Sequence, residues 1–151
     1  MTSLVSDEAR AWIGRSAPPQ TIEIHRSDIQ KYAIATEQRA AKYLNGDEAP
    51  HMFLFGALKP LVPISELGPD GITKDPFVPE VPLKRVMAGG TEMAFHRPIV
   101  AGDVLTAIRT LSEITEKQGS TGPLIFITYA LKVENAKGEL VLEEKQTRIM
   151  R

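Results

Sequence analysis

LIFITYALKVENAKGELVLEEKQTRIM, Leu124 to Met150, is the stretch that decides the fold. Ile125, Ile127, Tyr129, Leu131 and Val133 alternate with Phe126, Thr128, Ala130, Lys132 and Glu134, a period of two that marks a strand with one apolar face. Asn135-Ala136-Lys137-Gly138 follows as a hairpin turn, with Gly138 available for positive φ. Gly138 to Met150 reads as the returning strand. Working outward, Val104 to Ile114 is a further long strand and Arg85 to Phe95 another. Gly89-Gly90 within that last run predicts a bulge, or backbone that something approaches closely. Long antiparallel strands preceded by helices give an α+β fold.

The rest of the composition sets limits. A chain of 151 residues with 42% hydrophobic and 25% charged residues is the size and make-up of one globular domain. Lys and Arg total 18 against 19 Asp and Glu, a net charge of -1, so no basic field exists to attract nucleic acid or an acidic membrane. With no cysteine, disulfides, thiolate metal sites and a Cys nucleophile are excluded. No apolar run is long enough to span a bilayer, and MTSLVSDEAR lacks the charge pattern of a secretory signal. The expectation is a cytoplasmic domain over 1–151, with an N-terminal helical extension (1–20) and a Pro-rich insert (60–82).

Helix signals lie ahead of the prolines. Ser6 can cap a short helix with Asp7 and Glu8 in its first turn; Ala9, Trp12 and Ile13 share a face, and Gly14 stops it. Thr21 to His25 reads as a strand. Ser27 with Gln30 forms a capping box for a second helix, in which Ile29, Tyr32, Ala33, Ala40, Tyr43 and Leu44 share one face until Asn45-Gly46. Of 11 prolines, seven fall between Pro50 and Pro82, so that region is short pieces and loops. His51 to Lys59, apolar nearly all round, is the best buried helix to cover the sheet.

The chemistry-bearing residues are sparse. His25, His51 and His96 show no metal-ligand spacing, and neither a nucleophile elbow nor a phosphate loop occurs. His25 reads as a surface residue and His96 as structural, before a proline turn. His51 opens the apolar helix and serves as cap or rim rather than as a catalytic base. No metal or cofactor is expected.

From Gly89 to Leu105 the sequence reads GGTEMAFHRPIVAGDVL. This run resembles the MaoC-like hot-dog dehydratases, in which F-H-R-P-φ-x-x-G-D-x-L joins two long strands. The N-x-x-G hairpin and the segment Ser27–Phe53 are also similar to that family, so that the resemblance spans roughly Ile22 to Arg151. It implies a hot-dog fold, an antiparallel sheet wrapped around a central helix, and hydration or dehydration of an acyl thioester. Active members carry D-x-N-P-x-H, whose Asp and His form the acid–base pair. The register of the resemblance puts Gln38 at the Asp position, Ala40 and Ala41 at Asn and Pro, and Tyr43 at the His. Gln exchanges no proton, and the reference pKa of Tyr is ~10. The implied pair is therefore missing; a shift by one places Glu37 at the Asp and Lys42 at the His.

The resemblance thus implies an enoyl-thioester hydratase subunit that lacks its own dyad and supports acyl-CoA (or acyl-carrier thioester) binding, as a homodimer or beside a catalytic MaoC-like subunit. Candidate substrate-binding residues are His51, Met52, Phe53, Phe55 and Gly56, with Gly89 and Gly90 on the facing strand. Phe53 and Phe55 serve equally well as ordinary core. Arg85 and Arg97 are either CoA-phosphate ligands or a solvated face. Two other functions stay open: a homomeric hydratase or thioesterase using Glu37 or His51, and a non-catalytic acyl-CoA-binding module.

Overall fold

In the computed structural model, residues 3–151 are described; Met1 and Thr2 of the expected N-terminal extension lie outside the described residues. Two units are distinguished. One comprises residues 3–21, Pro79–Pro98 and Val104–Arg151, and the other comprises Ile22–Val78 with Ile99–Asp103.

The first unit carries the sheet apart from Ile22 and Glu23, the last two residues of its shortest strand. Strands β1 (Gln20–Glu23), β2 (Val86–Phe95), β3 (Val104–Gly119), β4 (Gly122–Asn135) and β5 (Leu140–Met150) are ordered β1-β3-β4-β5-β2. The pairs β3–β4, β4–β5 and β5–β2 are all antiparallel. The predicted alternation of β4 holds: Ile125, Ile127, Tyr129 and Val133 are buried. Leu131 is only half-buried, because its cross-strand partners are Arg109 and Glu144 rather than apolar residues. Arg109 and Arg148 stand over the Tyr129 ring at 4.9 and 5.3 Å from its centroid. Two cations thereby sit on an otherwise apolar face by using its aromatic ring.

Turn chemistry matches the sequence. Asn135 Oδ1 accepts the Lys137 and Glu139 amides, and Gly138 has φ 74°. The bulge on β2 falls between Ala88 and Gly90. A Cβ on Gly89 would lie 3.0 Å from Ile149 Cγ1 and from the Thr147 carbonyl oxygen, so the close neighbour is strand β5.

Several boundaries differ from expectation. Strand β3 runs five residues beyond Ile114. A second bulge between Leu111 and Glu113 shifts the inward positions from Leu111 to Ile114, which breaks the count of two. The returning strand starts at Leu140, not Gly138, and β2 at Val86, although Arg85 exchanges backbone hydrogen bonds with Arg151. The N-terminal helix α1 is one turn, Asp7–Arg10, capped by Ser6 as expected. Ala9 is buried, but the chain leaves the helix before Ile13, which is exposed.

The second unit holds the remaining helices: α2 (Arg26–Ala35), α3 (Ala41–Leu44) and α4 (Phe53–Ala57), with a 3-10 turn at Ile64–Glu66. Strand β1 stops at Glu23, and His25, not Ser27, occupies the N-cap position of α2. The reason is tertiary. Ile24 donates to Asp103 O and accepts from the Gly102 amide, which holds the chain extended through Ile24 so that it turns directly afterwards. The Gly102 turn is itself closed, with φ 92° and the Val100 amide donating to Asp103 Oδ2.

Candidate functional site

The expected single helix from Ser27 to Asn45 is broken at residues 36–40. The Thr36 hydroxyl donates to the Tyr32 carbonyl at 2.8 Å, and the Gln38 amide donates to Ala33 O at 2.9 Å. Both bonds occupy terminal carbonyls of α2. Between them Glu37 takes φ 55°, a left-handed corner that a glycine would adopt more easily. Ala40 is extended, and α3 restarts at Ala41. The sequence TEQRA contains neither Gly nor Pro, so nothing local announced the corner.

Helix α3 then folds back on α2. Gly46 has φ 71°, and a Cβ there would lie 2.6 Å from the Arg26 carbonyl oxygen. Arg26 reaches across to the Asn45 carbonyl at 2.7 Å and pairs with the Asp47 carboxylate. Lys42 pairs with Glu48 at 2.8 Å, a hydrogen bond that raises the lysine's pKa above its ordinary value. The Ala49 amide bonds Ile99 O, leading the chain into Pro50 and α4.

Helix α4 is shorter and less buried than its composition predicts. His51 and Met52 form a turn ahead of it, so His51 does not open the helix, and Lys59 lies past its end. Phe53 and Leu54 are buried, whereas Met52 and Phe55 are 43% and 42% exposed. Prolines 50 and 60 confine the helical stretch to about one turn. Phe53 meets Tyr32 edge to face, with ring centroids 5.6 Å apart and planes at 89°.

Beside that aromatic pair lies a cavity of about 670 Å³, within the range of small-molecule sites. Its apolar wall is Ile22, Ile24, Tyr32, Ala35, Phe53, Gly56 and Ala57; Glu23, Asp28 and Lys31 supply the polar lining. Asp28 and Lys31 pair at 3.5 Å. A Cβ on Gly56 would meet nothing within 4 Å. The lining is therefore mainly apolar, and its ionisable side chains, Glu23 and the Asp28–Lys31 pair, are exposed.

Of the residues singled out from sequence, the cavity gathers Phe53 and Gly56. His51, Met52 and Phe55 are exposed and not part of its lining; Lys59 Nζ lies 5.0 Å from the Phe55 ring. Gln38 is half-buried and its amide donates to Thr36 Oγ1 at 3.3 Å, and Tyr43 lies under Lys42 Nζ at 4.9 Å. Glu37 is exposed. Gly89, Gly90, Arg85 and Arg97 belong to the sheet unit, where Arg97 is paired with Glu139 at 2.9 Å. Tyr32, Ala35, Ile22 and Ile24 were missed. Tyr32 reads from sequence as part of a helix face and Ile22 and Ile24 only as part of a strand, and a face that points to a core or to a void looks the same in sequence. Among the described residues, no group of three or more His, Cys, Asp and Glu is placed to hold a metal ion, and no helix is long and apolar enough to cross a membrane.

Residues 11–144 match the model of the FAS1-like dehydratase domain region. The chain belongs to that family. A curated relative, the mesaconyl-C(4)-CoA hydratase of Chloroflexus aurantiacus, is 29% identical to this dehydratase-family chain over 144 residues; the match covers 93% of the chain and 50% of the relative. The chain thus spans about half the length of that hydratase. Among solved structures, the C-terminally truncated HadBC (3R-hydroxyacyl-ACP dehydratase) complex from Mycobacterium tuberculosis is similar with a TM-score of 0.68 at 18% identity, covering 97% of this chain and 99% of that one. The MaoC-like dehydratase from Rhodospirillum rubrum is similar with a TM-score of 0.55 at 15% identity, covering 91% of each. The dehydratase-family chain has the hot-dog fold, and its resemblance to the MaoC-like dehydratases holds at the level of architecture.

Proposed function

We propose that this chain is a dyad-lacking subunit of an acyl-thioester hydratase or dehydratase, with CoA thioesters the favoured substrates, and that it acts beside a hot-dog partner that retains the Asp and His. One observation carries the reading. In the register of the resemblance, the acid–base positions hold Gln38, directly after the Glu37 corner, and Tyr43, within α3. A glutamine amide has no titratable proton and the reference pKa of tyrosine is ~10, whereas acid–base catalysis depends on a group whose pKa lies near the working pH.

Two further features support it. The cavity between α2 and α4 is apolar and roomy enough for an acyl chain, so thioester binding does not depend on the dyad. Strand β2, ten residues long, has β5 as its one neighbour in the sheet order and presents its outer edge for pairing with a second hot-dog subunit. The HadBC structure is itself a complex of dehydratase subunits.

The test is a hydration assay on crotonyl-CoA with the purified chain alone, and then with a MaoC-like subunit that keeps the dyad. The expected result is negligible turnover alone and restored turnover in the mixture. Turnover by the isolated chain at ordinary enzymatic rates, ~1–10³ per second, refutes the reading. Glu37→Gln and His51→Ala then decide whether those residues carry a homomeric activity.

A further inference from the structure

Strand β3 is sixteen residues long, and its sheet neighbour on the outer side, β1, is four. Strand edges that long are templates for pairing with other chains. At about 3.3 Å per residue, some 40 Å of β3 would lie beyond the reach of β1. The N-terminal segment occupies this edge. Thr21 Oγ1 and Thr106 Oγ1 are 3.2 Å apart, the Ala17 amide donates to Arg109 O at 2.8 Å, and Ser16 bridges Thr110 in antiparallel sense. The Gly14 amide donates to Leu111 O at 2.8 Å, and the Leu111 amide donates to Arg15 O at 3.0 Å.

Regular pairing ends there, at the bulge around Ser112. Beyond it a single carboxylate replaces the ladder. Glu116 accepts from the Leu4 and Val5 amides, each at 3.0 Å, from Arg10 Nη2 at 3.1 Å, and from the Ser3 hydroxyl. Four donors from residues 3–10 thus converge on one side chain of β3. Val5 and Ala9 are buried at this end, and Ser6 caps the single turn between them.

We propose that residues 3–21 form an edge guard, clasped by Glu116, that prevents a second copy of this chain from adding to the outer edge of β3. A guarded β3 and an open β2 make strand-edge association one-sided, so that assembly closes instead of growing into a continuous sheet. Without the guard, heterologous β2-to-β3 pairing becomes available, and such head-to-tail contacts do not close.

The proposal is tested on the full chain with Glu116→Ala. Two quantities are read: hydrogen exchange at the Gly14, Ala17 and Leu111 amides, and the mass distribution by sedimentation over a concentration series in the micromolar range. The expected result is a rise in exchange of about tenfold or more, together with concentration-dependent species larger than those of wild type. A synthetic peptide of residues 3–21 added in excess should suppress the larger species. Faster exchange with unchanged mass overturns the proposal, because the bared edge then does not associate. Unchanged exchange overturns Glu116 as the clasp. Larger species without faster exchange also overturn it, since association then does not use the released edge. Should Glu116→Ala show no cooperative melt, the double variant Ser3→Ala, Arg10→Ala removes two of the four donors while leaving β3 intact, and is read in the same way.

Discussion

Gly46 is the position at which one methyl group should do most harm. It lies at the end of α3, with φ 71°, and its missing Cβ is what lets the turn approach the first turn of α2. Two costs arise in Gly46→Ala. A non-glycine residue in the left-handed region costs ~1–2 kcal/mol, less ~0.4–1 kcal/mol for the reduced freedom of the unfolded chain. The added Cβ would also lie 2.6 Å from Arg26 O, 2.7 Å from Arg26 Cγ and 2.9 Å from Gln30 Cγ. The two side-chain carbons can move, but the carbonyl belongs to the α2 backbone, and forced overpacking of this kind costs ~1–3 kcal/mol. The sum is about 2–4 kcal/mol. Gly138→Ala is the matched control, with φ 74° and nothing within 4 Å of its Cβ, so it carries the backbone cost alone, about 1 kcal/mol. In a chain of this length 1 kcal/mol moves Tm by ~2–4 °C. Thermal melts by circular dichroism should show a drop of about 4–16 °C for Gly46→Ala and about 2–4 °C for Gly138→Ala. Equal drops would refute the reasoning, because the close approach of α3 to α2 would then contribute nothing.

The opposite sign is expected at Glu37, where Glu37→Gly relieves a left-handed corner and should raise stability by up to about 1 kcal/mol in denaturant titration; a loss of stability would mean that the Glu37 side chain matters more than its backbone. Gly56→Phe should project into the cavity and weaken acyl-CoA binding about tenfold or more with Tm preserved, as measured by calorimetric titration, and unchanged affinity would remove the cavity from the binding model. Acid should loosen the N-terminal segment first. The Ser3 hydroxyl, the Leu4 and Val5 amides and Arg10 hold the Glu116 carboxyl below its ordinary pKa of 4.5, so its stabilisation is complete above that value and is lost as pH falls through the lower folded one. Protection of the Gly14 and Ala17 amides, taken relative to intrinsic exchange, should therefore fall in wild type as pH drops through the lowered Glu116 value and show no such step in Glu116→Gln.

The strands were legible because each rests on a repeating local pattern. The alternation from Ile125 to Val133 and the Asn135–Gly138 turn could be read residue by residue, since side-chain alternation and positive φ are properties of the chain itself. The run from Gly89 to Leu105 carried the family, and the family carried the fold. Tertiary structure decided the places where a distant group overrides the local preference. The α2–α3 corner has no breaker in TEQRA and exists because Thr36 and Gln38 satisfy carbonyls of the preceding helix. His25 takes the cap position because Gly102 and Asp103 hold Ile24 extended. The bulge at Ser112 shifts the inward face from Leu111 to Ile114, and with it the last five residues of β3. The cavity arises from Tyr32 and Ala35 of α2 with Phe53 and Gly56 of α4, and sequence periodicity cannot tell a packed face from a hollow one. The role of Glu116 is invisible for the same reason, because its donors lie more than a hundred positions away and only the folded backbone brings them to one carboxylate.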